Sequence, residues 1–226
     1  MRLLPSRGFR RGLLHGVAAS VEHLQLMRGI VPATLIDVGA NRGQFSLLVR
    51  TLHPGARIYA FEPLSRPAAK FERLFHGDAQ TTLHRCAIGP QTIDRMTMYV
   101  SKEDDASSLL PHAATVTTES VAVNRLDEIL EASDIVRPAL LKLDVQGYEI
   151  LALKGCGRLL DVMDFVYAEV SFVTNYQGQA LADEVLRFLF DNGFSLAAMD
   201  DPEFDSAGRC TQAGFLFSRR PEHVHG

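Results

Sequence analysis

No run of about 18 apolar residues occurs anywhere in this 226-residue chain, so the sequence holds no membrane-spanning helix. Cysteine is scarce: Cys86, Cys156 and Cys210 form no CxxC pair, which excludes a disulfide framework and a structural zinc site and fits a reducing, cytoplasmic setting. Basic residues are outnumbered, 23 against 27 acidic, for a net charge of −4. That leaves no broad positive field for a polyanion, and a nucleic-acid partner is not expected. Internal repeats and low-complexity segments are also absent. With 46% hydrophobic and 22% charged residues the chain has ordinary soluble composition, which excludes disorder and collagen. Its length suits one α/β domain.

Arg10 and Arg11 precede LLHGVAASV, an arrangement an export signal can show. His15 and Glu22 interrupt that apolar run and no small-residue cleavage site follows it, so an amphipathic helix is expected instead. Leu13, Leu14, Val17, Val21 and Leu24 recur at helical spacing within an N-terminal helical segment, residues 1–30. The main domain is expected over 31–219 and a flexible tail over 220–226.

From residue 34 onward short β-type runs alternate with longer helical ones, the pattern of a parallel sheet covered on both faces. Strands are predicted at 34–38, 57–61, 81–86, 139–143 and 165–170, and helices at 44–52, 65–75, 126–131, 149–160 and 181–192. Segments 194–199 and 214–218 are expected to form a last antiparallel pair. In the middle of the chain, after the strand at 81–86, segments 96–101 and 120–124 are β-type and flank a polar stretch, which predicts a flap inserted into the wound sheet.

The first strand runs into Asp37-Val-Gly39-Ala40-Asn41-Arg-Gly43, a turn whose glycines allow close backbone approach and whose free N–H groups face a ligand at a helix start. Its spacing departs from the dinucleotide pattern GxGxxG. Glu62, in Phe61-Glu62-Pro63 at the tip of the second strand, stands where nucleotide-binding α/β folds place the acid that accepts ribose hydroxyls.

DVGANRGQFS, FEP, CAIG, the flap's SSLL, NRLDEIL and LKLDVQGYEILALKG, in that order over roughly residues 34–218, resemble the FkbM family of S-adenosylmethionine-dependent methyltransferases. The resemblance implies a Rossmann-like class I methyltransferase fold, a seven-stranded mostly parallel sheet, and O-methylation of a glycan or secondary metabolite. It places Asp37, Gly39, Ala40, Asn41, Gly43 and Phe45 at the methionine end of the cofactor, Glu62 and Pro63 at the ribose, and Cys86, Ala87 and Ile88 near adenine. Gln146 stands where many relatives have glutamate.

Asp144, at the C-terminal edge of a strand, and Glu169, near the end of the next, are expected to converge on the transfer cleft. Two such carboxylates can position or deprotonate a hydroxyl, or hold Mg²⁺. Asp200 and Asp201 are the remaining acidic candidates, and His112 in the flap is an alternative base. Ser107 and Ser108 would reach the cofactor if the flap closes. Two other readings stand beside this one: an NAD-dependent oxidoreductase on a related fold, and a binding module that holds the cofactor without transferring anything. The lack of a PPY loop after the fourth strand argues against base or amide methylation. The oligomeric state is open.

Overall fold

The computed structural model describes residues 7–102 and 106–221. The major sheet has seven strands, ordered β3-β2-β1-β7-β8-β10-β9, in which Thr34–Val38 (β1), Arg57–Phe61 (β2), Thr81–His84 (β3), Ala139–Leu143 (β7) and Phe165–Ser171 (β8) run parallel. Cys210–Arg219 (β10) pairs antiparallel with both β8 and Phe194–Phe204 (β9). Both last strands are longer than expected, and they bend through register shifts around Gln212 and Gly214.

β1 and β7 are buried along their whole lengths, as central parallel strands flanked by helices must be. Alternation sorts their side chains. Leu35 and Leu140 pack with Gln44–Leu52 (α3) and Ser65–Leu74 (α4) on one face. Ile36 and Leu141 pack on the other with Leu126–Ile129 (α5), Glu149–Cys156 (α6) and Ala182–Asp191 (α7). The helix expected over 149–160 therefore stops being α at Cys156 and continues as a tighter 3₁₀ turn through Val162.

The flap is a second sheet, order β4-β6-β5, formed by Ala87–Ile88 (β4), Ile93–Ser101 (β5) and Thr115–Asn124 (β6). Leu109, Met98 and Val123 bury under it against Leu64 and Tyr148, so it has a core of its own. Residues 103–105 of the expected polar linker lie outside the described residues.

The N-terminal segment differs from its sequence pattern. Arg7–Leu14 (α1) stops at a left-handed Gly16 (φ 68°), and the helical period does not carry across that turn. Leu13 and Leu14 are consequently exposed at 68% and 87%, whereas Val17 is buried. A 3₁₀ turn, Val21–His23, and the short Leu24–Met27 (α2) follow and bring Leu26, Met27 and Ile30 onto the α3 face. At the other end, Arg220 is not frayed: it bonds the carbonyls of Gly193, Phe194 and Phe190. Residues 222–226 of the expected tail lie outside the described residues.

Candidate active site

The C-terminal tips of β1, β2, β7 and β8 open onto one cavity of about 570 Å³. Gly39 makes the geometry possible. It sits at φ 76°, and a Cβ there would fall 1.8 Å from the Asp144 carbonyl oxygen, so only glycine lets the turn after β1 lie against the end of β7. Asn41, at φ 47°, donates its backbone N–H to Glu62 Oε2 at 2.9 Å, and the Leu64 N–H reaches Glu62 Oε1 at 2.8 Å. Both bonds leave lone pairs of a buried carboxylate facing the cavity. Burial pushes the Glu62 acid up to about 7 against the pull of those N–H groups. Asn41 Oδ1 is buried with no hydrogen-bond partner, an acceptor left to be satisfied. A glycine cradle, a ribose-type acid and an orphan acceptor together fit a nucleoside bearing an amino-acid arm.

Gly39, Ala40, Asn41, Phe45, Glu62, Pro63, Ala87, Ile88, Ser107, Asp144 and Glu169 of the predicted residues line this cavity. Five others do not. Asp37 is fully buried behind the turn, where Ser46 donates to its Oδ2 at 2.6 Å and Lys142 Nζ sits 3.3 Å from Oδ1. Gly43 caps α3 against Phe71 and Phe75. Cys86 is a buried thiol that desolvation pushes up to about 11. Ser108 is sealed under the flap, bonding the Gln146 carbonyl at 2.7 Å, and its neighbour Ser107 takes the cavity-side place. His112 packs edge-on to Tyr176 at 5.0 Å with Nε2 3.4 Å from the Tyr99 carbonyl, so its ring serves the flap.

Asp144 and Glu169 do converge, through a residue that their spacing does not reveal. Gln146 occupies a left-handed turn position (φ 52°) and its Nε2 donates to Asp144 Oδ1 at 2.9 Å and to Glu169 Oε2 at 3.0 Å. Tyr176 donates to Gln146 Oε1 at 2.7 Å and fixes the amide's orientation. Lys142 Nζ, buried under the site, is 3.3 Å from Asp144 Oδ2 and 3.0 Å from the Gly39 carbonyl. Burial alone would lower that ammonium, but Asp144 and Asp37 outweigh it and hold it above its usual value. Glu169 is raised as well, to about 8, by burial first and then the Asp144 charge, which favours its neutral form.

This donor set does not fit a divalent cation. An amide N–H group occupies the point between the two carboxylates, and an ammonium holds the second oxygen of Asp144. Among the described residues no group of three or more His, Cys, Asp or Glu is arranged to ligate a metal. Of the two remaining acidic candidates, Asp200 is held by His23 at 2.8 Å. The sequence reading missed Lys142, Tyr176 and His23, and it marked Gln146 only as a departure from the family pattern, not as the bridge between the two acids. Only the lysine carries a local signal: a charge inside the buried run ALLKL requires a partner.

Comparison with known proteins agrees with this geometry. Residues 37–196 match the family described as the Methyltransferase FkbM domain. Methyltransferase 1 of Beauveria bassiana is 29% identical over 60% of this chain and 64% of its own length. The 31-O-demethyl-FK506 methyltransferase FkbM of Streptomyces tacrolimicus is 28% identical over 75% of each chain. The hexuronic acid methyltransferase AglP of Haloferax volcanii is 31% identical over 60% of this chain, which spans 55% of that protein. Among solved structures, a Listeria monocytogenes protein assigned as an S-adenosylmethionine-dependent methyltransferase has the same fold. Its TM-score is 0.51 at 10% identity, over 88% of this chain and 98% of that one. Among the described residues no helix is long and apolar enough to cross a membrane.

Proposed function

Because this chain belongs to the FkbM methyltransferase family, we propose that it transfers a methyl group from S-adenosylmethionine to a hydroxyl oxygen of a glycan or other small polyhydroxylated molecule. The observation that carries the reading is one cavity joining Glu62, with its two backbone N–H partners, to the Asp144–Gln146–Glu169 cluster. Glu62 would hold the ribose hydroxyls, Ala87 and Ile88 the adenine, and Gly39, Ala40 and Asn41 the methionine arm. Bound there, the cofactor supplies a methyl already activated on a sulfonium, so the acceptor needs chiefly orientation and an outlet for its proton.

Asp144 and Glu169 serve orientation in this reading. Asp144 already accepts from Lys142 and Gln146, and Glu169 keeps its proton to about pH 8 through burial beside that charge, which suits it to hydrogen-bond a hydroxyl. No metal takes part. The hydroxyl assignment draws support from relatives named for a 31-O-demethyl acceptor and a hexuronic acid. Glu22, Asp201 and Glu203 also line the cavity, and this acidic lining disfavours a phosphate backbone, so we place nucleic acid outside the substrate range. Free thiols at Cys86 and Cys156 suit a cytoplasmic setting.

The test is calorimetry with S-adenosylmethionine and NAD separately, then release of S-adenosylhomocysteine over a panel of hexoses, hexuronic acids and polyhydroxylated macrolides, with and without EDTA. The expected result is micromolar binding of the first alone and EDTA-insensitive transfer. Binding of NAD alone would return the oxidoreductase reading. Cofactor binding without transfer to any hydroxyl would leave a binding module.

A further inference from the structure

We propose that His23 accepts the acceptor hydroxyl's proton and that Asp200 is the residue that positions it; this rests on the methyl-transfer reading above. His23 closes the 3₁₀ turn after α1 and lines the same cavity as Asp144 and Glu169, with 14% of its side chain exposed. Its Nδ1 lies 2.8 Å from Asp200 Oδ2. The ring is held edge-on to Tyr167 at 5.2 Å and tilted against Phe45 at 5.6 Å. A carboxylate on Nδ1 requires the proton there, which leaves the Nε2 lone pair free. Nε2 has Glu22 Oε1 as its nearest charged group, at 3.8 Å, beyond hydrogen-bond range.

The strands are shaped to hold this dyad. Glu169, Gly214 and Asp200 are register partners across β8, β10 and β9, so their side chains share a face and Asp200 stands two strand spacings, about 10 Å, from Glu169. Gly214 has no side chain, and the space a Cβ would need is filled by the Tyr167 hydroxyl, which approaches His23 Nδ1 at 3.4 Å. A non-glycine residue in left-handed backbone, Asp201 at φ 44°, follows at the register shift, the kind of irregularity that re-aims a neighbouring side chain. The arrangement therefore presents hydroxyl-binding groups at the C-terminal ends of β7 and β8 and a proton acceptor on the lining of the same cavity.

The step balances. The acceptor oxygen forms its bond to the methyl as the methyl–sulfur bond breaks and sulfur keeps that electron pair. The hydroxyl proton passes to Nε2 of His23, so the positive charge lost at sulfur appears on the imidazolium beside Asp200.

Nitrogen-15 NMR of the full chain, above the range where imidazole is protonated, reads the tautomer without any acceptor. His23 should carry its proton on Nδ1 in the wild type and lose that preference in Asp200→Ala. With a hydroxyl substrate from the panel, His23→Ala and His23→Gln should keep cofactor affinity within about threefold and lose at least about a hundredfold in kcat. Added imidazole should restore turnover to His23→Ala, which a purely structural histidine would not allow. An Nε2-protonated wild type, or variant turnover within threefold of wild type, overturns the proposal. Failure of S-adenosylmethionine to bind the wild type would instead condemn the methyl-transfer reading beneath it.

Discussion

Asp37 and Lys142 are register partners on adjacent parallel strands, and the lysine ammonium reaches Asp37, Asp144 and the Gly39 carbonyl at once. One buried cation thus ties the turn that would hold the cofactor to the carboxylate that would hold the acceptor. Lys142→Met leaves the Asp37 carboxylate in the core with Ser46 as its remaining partner. Stranding a buried charge in this way costs about 3–5 kcal/mol. Urea denaturation should show a loss of that size, and Asp37→Asn combined with Lys142→Met should recover much of it. A single-variant loss below about 1 kcal/mol would show that the pair does not carry the junction.

Glu62 connects protonation to cofactor binding. Its acid is raised to about 7 by burial, yet ribose hydroxyls donate best to the ionised form. Below pH 7, binding should therefore expel a proton, and affinity should rise with pH until about 7 and then level off. Calorimetry at pH 6 in two buffers of different ionisation heat measures that proton. Glu62→Gln should abolish the release and weaken binding at least about tenfold, since bonds to a charged partner contribute roughly 1.5–3 kcal/mol. Equal heats in both buffers for the wild type would contradict the assignment.

How much of this is legible in the sequence depends on how far apart the partners lie. The strands 34–38, 57–61 and 139–143 are recovered to the residue, because buried parallel strands are short apolar runs punctuated by turns. Glu62 is legible for a similar reason: strand tip and glycine turn are a fixed motif apart. Asp37 is placed less directly, because the sequence marks the turn it anchors but not that its own side chain is wholly buried behind it and off the cavity lining. Gln146 depends on a left-handed turn that decides where its amide goes. His23 pairs with a residue 177 positions away, and no local period encodes such a contact.

Glu169 makes stability depend on pH. Its folded value of about 8 lies above the ordinary carboxyl value of 4.5, so the folded state binds the proton more tightly than the unfolded chain does. This contribution is fully present below about pH 4.5 and is lost as pH rises through about 8. Glu169→Gln mimics the protonated form, keeps an amide oxygen toward Gln146, and should flatten that part of the profile. Thermal denaturation between pH 5 and 9 checks it: the difference between variant and wild type should grow in the variant's favour with pH, and a constant difference would refute the buried-acid account.

Gln146→Glu tests why no metal belongs here. In the wild type the Gln146 amide donates to both Asp144 and Glu169, so its N–H groups take the place that a cation would need. Thermal stability of the wild type should then be the same in Mg²⁺ and in EDTA. Glutamate at 146 has no donor to offer when ionised, and it would bring a third carboxylate to a point already flanked by two. Lys142 is spent on Asp37, Asp144 and Gly39 and offsets only part of that charge. Without metal, the variant should be less stable than wild type, most of all at high pH, where all three acids ionise. With millimolar Mg²⁺, three oxygen ligands in one pocket should bind the cation and restore stability in proportion to its concentration. Stabilisation of the wild type by Mg²⁺ to the same extent would mean that the amide yields its place, and the metal-free account of the transfer would have to be abandoned.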